Sequence, residues 1–304
     1  MRPLRPGDPV QLVAAGSALL GEATAERLQA GCAVLASWGL RPPDPEALRQ
    51  RWLERHWGYL AGSDAERLAD LTDSGAPLLA CVRGGWGAAR LLEHQPSLPQ
   101  GWLLGFSDVT SLLWAQQAGG RSGAIHGPLL TTLAAEPAWS QERLRRLLFG
   151  DGTLPALQGE GWAGGVATGP LLVGNLTVAT HLLGTRQLPP LRGAILVLED
   201  VGEAPYRIER MLTHWRLCGA LQQLAGIGFG SFSGCDEAND PAAPAEQAAG
   251  RRFSLAEVLR ERTADLAIPV VAGLPVGHEA GNAALPLGRL VRLDGDSGHL
   301  DLLS

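Results

Sequence analysis

Serine, glutamate and histidine, the three side chains a nucleophilic acyl transfer needs, each stand where an apolar run of this chain stops. Ser107 follows Leu103-Leu104-Gly105-Phe106, Glu199 follows Ala194-Ile195-Leu196-Val197-Leu198, and His278 follows Pro269 to Gly277. A serine hydroxyl attacks a carbonyl once a base takes its proton, and an acid must orient that base and stabilise its cationic form. Locally, Leu103 to Thr110 reads as strand, sharp turn and helix. The glycine two positions before the serine leaves room for such a turn, and the N–H groups of the following helix face back toward it, where a developing oxyanion could be stabilised. The full G-x-S-x-G pattern would place glycine at 109, where this chain has Val109. The same octapeptide also reads as an ordinary helix start capped by Ser107 or Asp108. At this point both readings stand.

The choice of base is narrow. The chain contains no lysine, so all 25 basic residues are arginine. A Ser–Lys dyad, a Schiff base and a lysine-bearing phosphate loop are therefore excluded. If Ser107 is a nucleophile, its base is a histidine. His278 follows a glycine at a predicted strand end. His56, His94 and His214 lie in helical or polar stretches, His299 is near the terminus, and His126 reads as a structural histidine.

Strands alternating with helices must position these groups. Val10 to Ala15 reads as a strand ending at Gly16-Ser17. Thr24 to Trp38 has helical spacing, with Gly39 placed to end it. Ser63-Asp64-Ala65-Glu66 is a capping-box start for a helix to about Asp73. Pro77 to Val82 is a continuous apolar run, as in a strand covered on both faces, and ends in Arg83-Gly84-Gly85-Trp86-Gly87. This order implies a parallel sheet, whose sites lie at the carboxyl ends of strands. The glycines at 84 and 85 form a plain tight turn or let the backbone approach a ligand. Arg83 could bind a substrate carboxylate or form a surface salt bridge. Cys81 lies inside its apolar run rather than at the turn, which weighs against a cysteine nucleophile.

A helix is expected from Ser140 to Phe149. The glycine- and alanine-rich stretch that follows reads as a linker over 151–168, dividing a domain at 1–150 from one at 169–304. The second domain opens with Leu171 to Thr177. Its densest polar region is Glu199-Asp200-Val201-Gly202-Glu203, before a helix starting near Pro205 whose solvated face carries Glu209 and Arg210. Gly226 to Phe232 reads as a strand, Asp236 to Gly250 as a surface loop, and Ser254 to Leu266 as a helix. A β-rich segment closes the chain.

At 304 residues, 45% hydrophobic and 18% charged, the composition is that of a globular protein of about two domains. A net charge of −6 argues against a nucleic-acid partner. No apolar stretch approaches the roughly 18 residues of a membrane span, so neither a membrane anchor nor a signal peptide is expected, and a cytoplasmic location is the default. Cys32, Cys81, Cys218 and Cys235 form no C-x-x-C pair and read as reduced, mostly buried thiols. No metal-ligand motif appears, and no cofactor is expected.

Five blocks in order carry a family resemblance. They are Arg83 to Gly87, Gly105-Phe106-Ser107-Asp108, Gly174-Asn175-Leu176-Thr177, Leu198 to Val201 running on to Pro205-Tyr206-Arg207-Ile208, and Gly277-His278 followed by Leu285-Pro286-Leu287-Gly288. Over nearly its whole length the chain resembles the LD-carboxypeptidases, serine peptidases that include murein tetrapeptide carboxypeptidases and microcin-immunity proteins. The resemblance implies an α/β fold, with an N-terminal flavodoxin-like or glutaminase-like parallel-sheet domain and a smaller C-terminal α/β domain. It implies Ser107 as nucleophile from the first domain, with His278 as base and Glu199 as orienting acid from the second. The oxyanion hole would come from the backbone of Asp108 and of Gly84 or Gly85, and the site would lie between the domains. Arg83 and Trp86 are the expected substrate contacts. The implied reaction removes the terminal D-alanine of murein tetrapeptides in cell-wall recycling; the alternative is cleavage of aminoacyl-sulfamoyl-adenosine amides. A homodimer is the implied assembly. The chain departs from the family pattern at Trp86, where tyrosine is usual, at Gly16-Ser17, where proline often precedes the serine, and at Glu279, where glycine is common.

Overall fold

Every residue of Leu78–Cys81 is fully buried, the state expected of a strand covered on both faces. In a computed structural model that describes residues 1–44, 54–72, 75–98, 100–236 and 253–303, this segment is β2 of a five-stranded sheet. It is flanked by β1 (Val10–Val13) and β3 (Trp102–Gly105), with β4 (Ala124–His126) beyond β3, all parallel. A short strand from far along the chain, β11 (Leu285–Pro286), pairs antiparallel with β4 and closes that edge.

Helices α1 (Glu22–Ser37), α2 (Asp64–Leu71), α3 (Thr110–Ala118), α4 (Leu130–Leu133) and α5 (Ala138–Phe149) accompany these strands. Helix α2 starts with the predicted capping box: the Glu66 N–H donates to Ser63 Oγ, and the Ser63 N–H donates to Glu66 Oε2 at 2.8 Å. It stops at Leu71, two residues short of expectation, because Thr72 is extended. Leu28, Cys32 and Leu35 of α1, at helical spacing, pack with Leu12, Leu78, Leu104 and Ile125 of the sheet in one buried cluster. Each such leucine contributes roughly 1.5–3 kcal/mol by leaving water.

The second unit is built on an eight-stranded sheet in the order β5-β13-β12-β7-β8-β9-β10-β6. Its centre, β7 (Val166–Asn175), β8 (Ile195–Val201), β9 (Gly226–Ser233) and β10 (Val270–Ala272), is parallel. The outer strands β5 (Leu157–Gln158), β6 (Glu160–Ala163), β12 (Leu290–Asp294) and β13 (His299–Leu302) run antiparallel to their neighbours. Its helices are α6 (Leu176–Leu182), α7 (Pro205–Leu217, with Pro205 in the first turn) and α8 (Leu255–Thr263, opened by a Ser254–Glu257 capping box).

Two expectations change. The stretch read as a linker, 151–168, carries β5, β6 and the first residues of β7, and its glycines let other backbone segments pass close by. A Cβ on Gly161, for example, would lie 2.0 Å from the Gly295 carbonyl oxygen. The units are also not contiguous in sequence. Unit 1 comprises Met1–Leu154, Gly184–Pro189 and Ala280–Gly288; unit 2 comprises Pro155–Leu183, Pro190–Glu279 and Arg289–Ser304. Residues 237–252, most of the expected Asp236–Gly250 loop, lie outside the described residues. All four cysteines are free thiols; Cys32, Cys81 and Cys235 are buried and Cys218 is exposed.

Candidate active site

In unit 1 the carboxyl ends of β1, β2 and β3 meet around Ser107. The turn after β3 is a single 3-10 turn, Ser107–Val109, leading into α3. Ser107 sits at φ 62, a left-handed conformation that costs a non-glycine residue about 1–2 kcal/mol. A plain helix cap has extended backbone, so this strained elbow departs from the capping reading. Gly105 explains why the turn tolerates Val109 in place of the expected glycine. A Cβ at 105 would lie 2.7 Å from Val109 Cγ1, so the valine fills the space the glycine leaves.

The glycine loop after β2 lies directly against the serine. A Cβ on Gly84 would lie 3.2 Å from Ser107 Oγ and 3.1 Å from Ser107 Cβ. Any larger residue there would crowd the hydroxyl. The loop is tied to the β1 loop, since the Ser17 N–H donates to the Gly84 carbonyl at 3.0 Å and the Trp86 N–H to Ser17 Oγ at 3.2 Å. Arg83 donates to the Ala18 carbonyl at 2.9 Å, and among the described residues its guanidinium has no carboxylate partner. The Trp86 ring is 61% exposed and meets Tyr59 edge-on at 6.2 Å. His126 is fully buried, edge-on to Phe106 at 5.6 Å, as expected of a structural histidine. Cys81 is buried, and its desolvation pushes the thiol far above its ordinary range.

In unit 2 the structure brings Glu199 and His278 together. Nδ1 of His278 lies 2.6 Å from Glu199 Oε2; the glutamate side chain is fully buried and the histidine 21% exposed. A neutral imidazole that donates from Nδ1 carries its lone pair on Nε2, ready to accept a proton. Burial pushes the Glu199 carboxyl up; the His278 hydrogen bond and charge and the Asn175 side chain oppose that, while Asp200 adds to it.

The local chain is shaped for this pair. Glu199 is not at the strand end, as expected from the sequence, but two residues inside β8. There the pairing with β9 shifts register between Leu198 and Asp200. Such bulges re-aim a side chain. Gly277, at φ 128, passes so close that a Cβ would lie 3.0 Å from Glu199 Oε2 and 2.3 Å from Ser231 Oγ. Ser231 Oγ in turn accepts from the His278 N–H at 3.1 Å.

Several contributors escaped the sequence reading. Asp200 accepts from Asn175 Nδ2 at 2.9 Å, from the Thr177 N–H at 2.9 Å and from Thr177 Oγ1 at 2.8 Å, and so fixes the start of α6 beside β8. The Gly174–Thr177 and Leu198–Val201 motifs signalled that region but not the pairing. Ser231 carried no signal, since serine in a glycine-rich strand has no distinguishing spacing.

Unit 1 holds a strained serine against a glycine loop and unit 2 a glutamate-held histidine. Groups of these types can attack carbonyls and move protons, a chemistry that hydrolytic enzymes use. Comparison with known proteins sharpens that class. Residues 10–127 match the LD-carboxypeptidase N-terminal domain and residues 168–293 the LD-carboxypeptidase C-terminal domain. A relative from Synechocystis, named a carboxypeptidase only provisionally, is 45% identical over 99% of this chain and 96% of its own length. The murein tetrapeptide carboxypeptidase of Pseudomonas aeruginosa is 37% identical over 81% of this chain and 83% of its own. Among solved structures, muramoyltetrapeptide carboxypeptidase from Oxalobacter formigenes matches with a TM-score of 0.77 at 25% identity, covering 97% of each chain. Microcin C7 self immunity protein shares the fold, with a TM-score of 0.80 at 21% identity over 100% of this chain and 98% of that one. The chain belongs to the LD-carboxypeptidase family.

Proposed function

We propose that the protein is a serine-type LD-carboxypeptidase that removes the terminal D-alanine from murein tetrapeptides. The observation that carries the chemistry is the 2.6 Å bond from His278 Nδ1 to the buried Glu199, which leaves Nε2 to act as base. In this reading Ser107 Oγ attacks the carbonyl of the residue before D-alanine while His278 takes its proton. The oxyanion is held by the backbone N–H of Asp108 and of the Gly84–Gly85 turn. His278 then protonates the departing D-alanine nitrogen, and water activated by the same ring releases the tripeptide from the acyl-enzyme. Arg83 is the proposed partner of the terminal carboxylate, because a guanidinium fork matches a carboxylate and no protein carboxylate among the described residues occupies it. Trp86, exposed beside the Gly84 loop, is a proposed substrate contact.

The murein substrate is supported by the names of the Pseudomonas relative and the Oxalobacter structure. The alternative is cleavage of aminoacyl-sulfamoyl-adenosine, since one structure of the microcin immunity protein holds aspartyl sulfamoyl adenosine. Against it stands one residue type. A lysine is among the active-site residues substituted in another structure of that protein, and this chain contains no lysine. The family resemblance also suggests a cytoplasmic homodimer, testable by sedimentation of the purified chain; among the described residues no helix is long and apolar enough to cross a membrane.

Mass spectrometry of the protein incubated with a murein tetrapeptide, beside Ser107→Ala, tests the reading. Loss of one alanine with the wild type alone is expected, with kcat reduced by roughly four to six orders of magnitude in the variant. Turnover of the sulfamoyl-adenosine amide but not of the tetrapeptide would select the alternative substrate.

A further inference from the structure

We infer that Asp108 and Arg67 are positioning residues that grip the Gly87–Ala88 peptide and so set the glycine loop against Ser107. This rests on the reading of Ser107 as the nucleophile. The two side chains hold opposite ends of one peptide unit. Asp108 Oδ2 accepts from the Ala88 N–H at 2.9 Å, and Arg67 NH1 donates to the Gly87 carbonyl at 2.8 Å. The same Arg67 nitrogen donates to the Ala15 carbonyl at 2.6 Å, at the end of β1, and NH2 pairs with Asp64 at 2.6 Å. The arginine is fully buried and the aspartate 5% exposed. Asp108 directly follows Ser107, and its backbone carbonyl accepts from Ser111 Oγ at 2.9 Å, which ties the serine's turn to α3. Its Oδ2 would also lie 3.0 Å from a Cβ on Gly16, which leaves the β1 loop little freedom. The loops after β1, β2 and β3 are thereby fastened through these two side chains, which reach the Gly87–Ala88 peptide and the end of β1.

The ionised carboxylate is kept here against a desolvation cost. Burial pushes the Asp108 carboxyl up to about 6, against the opposing Ala88 and Gly87 N–H bonds and the Arg67 charge, so its surroundings disfavour the ionised form. A neutral side chain of that size would burden the fold less. What the charge supplies is a fixed loop. Donors aimed at a developing oxyanion act only when held in place beforehand.

The test is steady-state kinetics of the full chain on the murein tetrapeptide, with thermal melting at pH 8. Asp108→Ala is expected to lower kcat about 100-fold with KM within about threefold, since an oxyanion donor acts on the transition state rather than on ground-state binding. Asp108→Asn keeps an acceptor for the Ala88 N–H. It should lose about tenfold in kcat while melting at or above the wild-type temperature. Arg67→Gln should also lower kcat, and its combination with Asp108→Asn should lose less than the product of the two single effects. A kcat within twofold of wild type in Asp108→Ala, or a loss in Asp108→Asn that only tracks a lower melting temperature, would overturn the inference. Wild-type turnover in Ser107→Ala would instead overturn the serine reading and this inference with it. If the tetrapeptide is not cleaved, the rate of Ser107 labelling by a fluorophosphonate gives the same comparison without a substrate assignment.

Discussion

Ser107 sits at a positive φ of 62, and strain of this kind tends to cluster at functional sites. Glu199 shows the complementary device, a buried carboxylate within 2.6 Å of one imidazole nitrogen. Glu199→Gln should keep the fold and cost roughly 10³-fold in kcat, less than the loss of Ser107, because an amide can stabilise the wrong tautomer. Full-rate turnover in that variant would mean another acid orients His278. Asp108 gives a prediction in pH. Its folded pKa of about 6 lies above the ordinary aspartate value, so between about pH 4 and 6 the native state binds more protons than the unfolded chain. The group's contribution to stability is therefore greatest below about pH 4 and is lost as pH rises through about 6, by an amount of about 3 kcal/mol. Denaturant titrations from pH 4 to 7 should show this fall in the wild type relative to Asp108→Asn; parallel curves would contradict it.

At the scale of elements, local chemistry sets where helices begin and close approach sets where loops pass. Both predicted serine starts carry complete capping boxes, at Ser63–Glu66 and Ser254–Glu257. Ser63→Ala should cost about 1 kcal/mol, measured by urea unfolding. Gly277 is a sharper case. Its φ of 128 disfavours any side chain, and a methyl group would lie 2.3 Å from Ser231 Oγ, the atom that holds the His278 backbone. Gly277→Ala should destabilise by about 2 kcal/mol or more and depress kcat with it. A variant as stable and active as wild type would show that the His278 loop is not held as described.

For the molecule as a whole, the discontinuity of unit 1 has a mechanical consequence. β4 is completed by Leu285–Pro286, while Glu136 accepts from the N–H groups of Gly281 at 2.7 Å and Asn282 at 3.0 Å. Ser140 Oγ and Arg143 Nε donate to the Asn282 and Ala284 carbonyls. A fragment of residues 1–154 would leave that carboxylate, those donors and a sheet edge without their partners. It should lack the cooperative unfolding transition of the full chain in near-UV circular dichroism. A sharp transition from the fragment would show that residues 280–288 are dispensable to unit 1.

The division between sequence and tertiary structure follows the range of the interactions. Burial period, capping boxes, helix-ending glycines and the residues at the ends of apolar runs are local, and the sequence by itself determined the alternating α/β pattern, the α1, α2 and α8 helices, and Ser107, Glu199 and His278 as the groups to consider. It also excluded lysine chemistry outright. Tertiary structure decided what depends on distant pairing. Leu285–Pro286 joins unit 1 through hydrogen bonds to a strand some 160 residues earlier. The bulge opposite Glu199 and the passage of Gly277 beside it brought acid and histidine to 2.6 Å. The Asp108 carboxylate, a plausible helix cap in the sequence, became a clamp on another loop because α2 supplied the buried Arg67 from the other side. A residue's type states which bonds it can make; only the closed sheet and its loops fix which partner lies within reach.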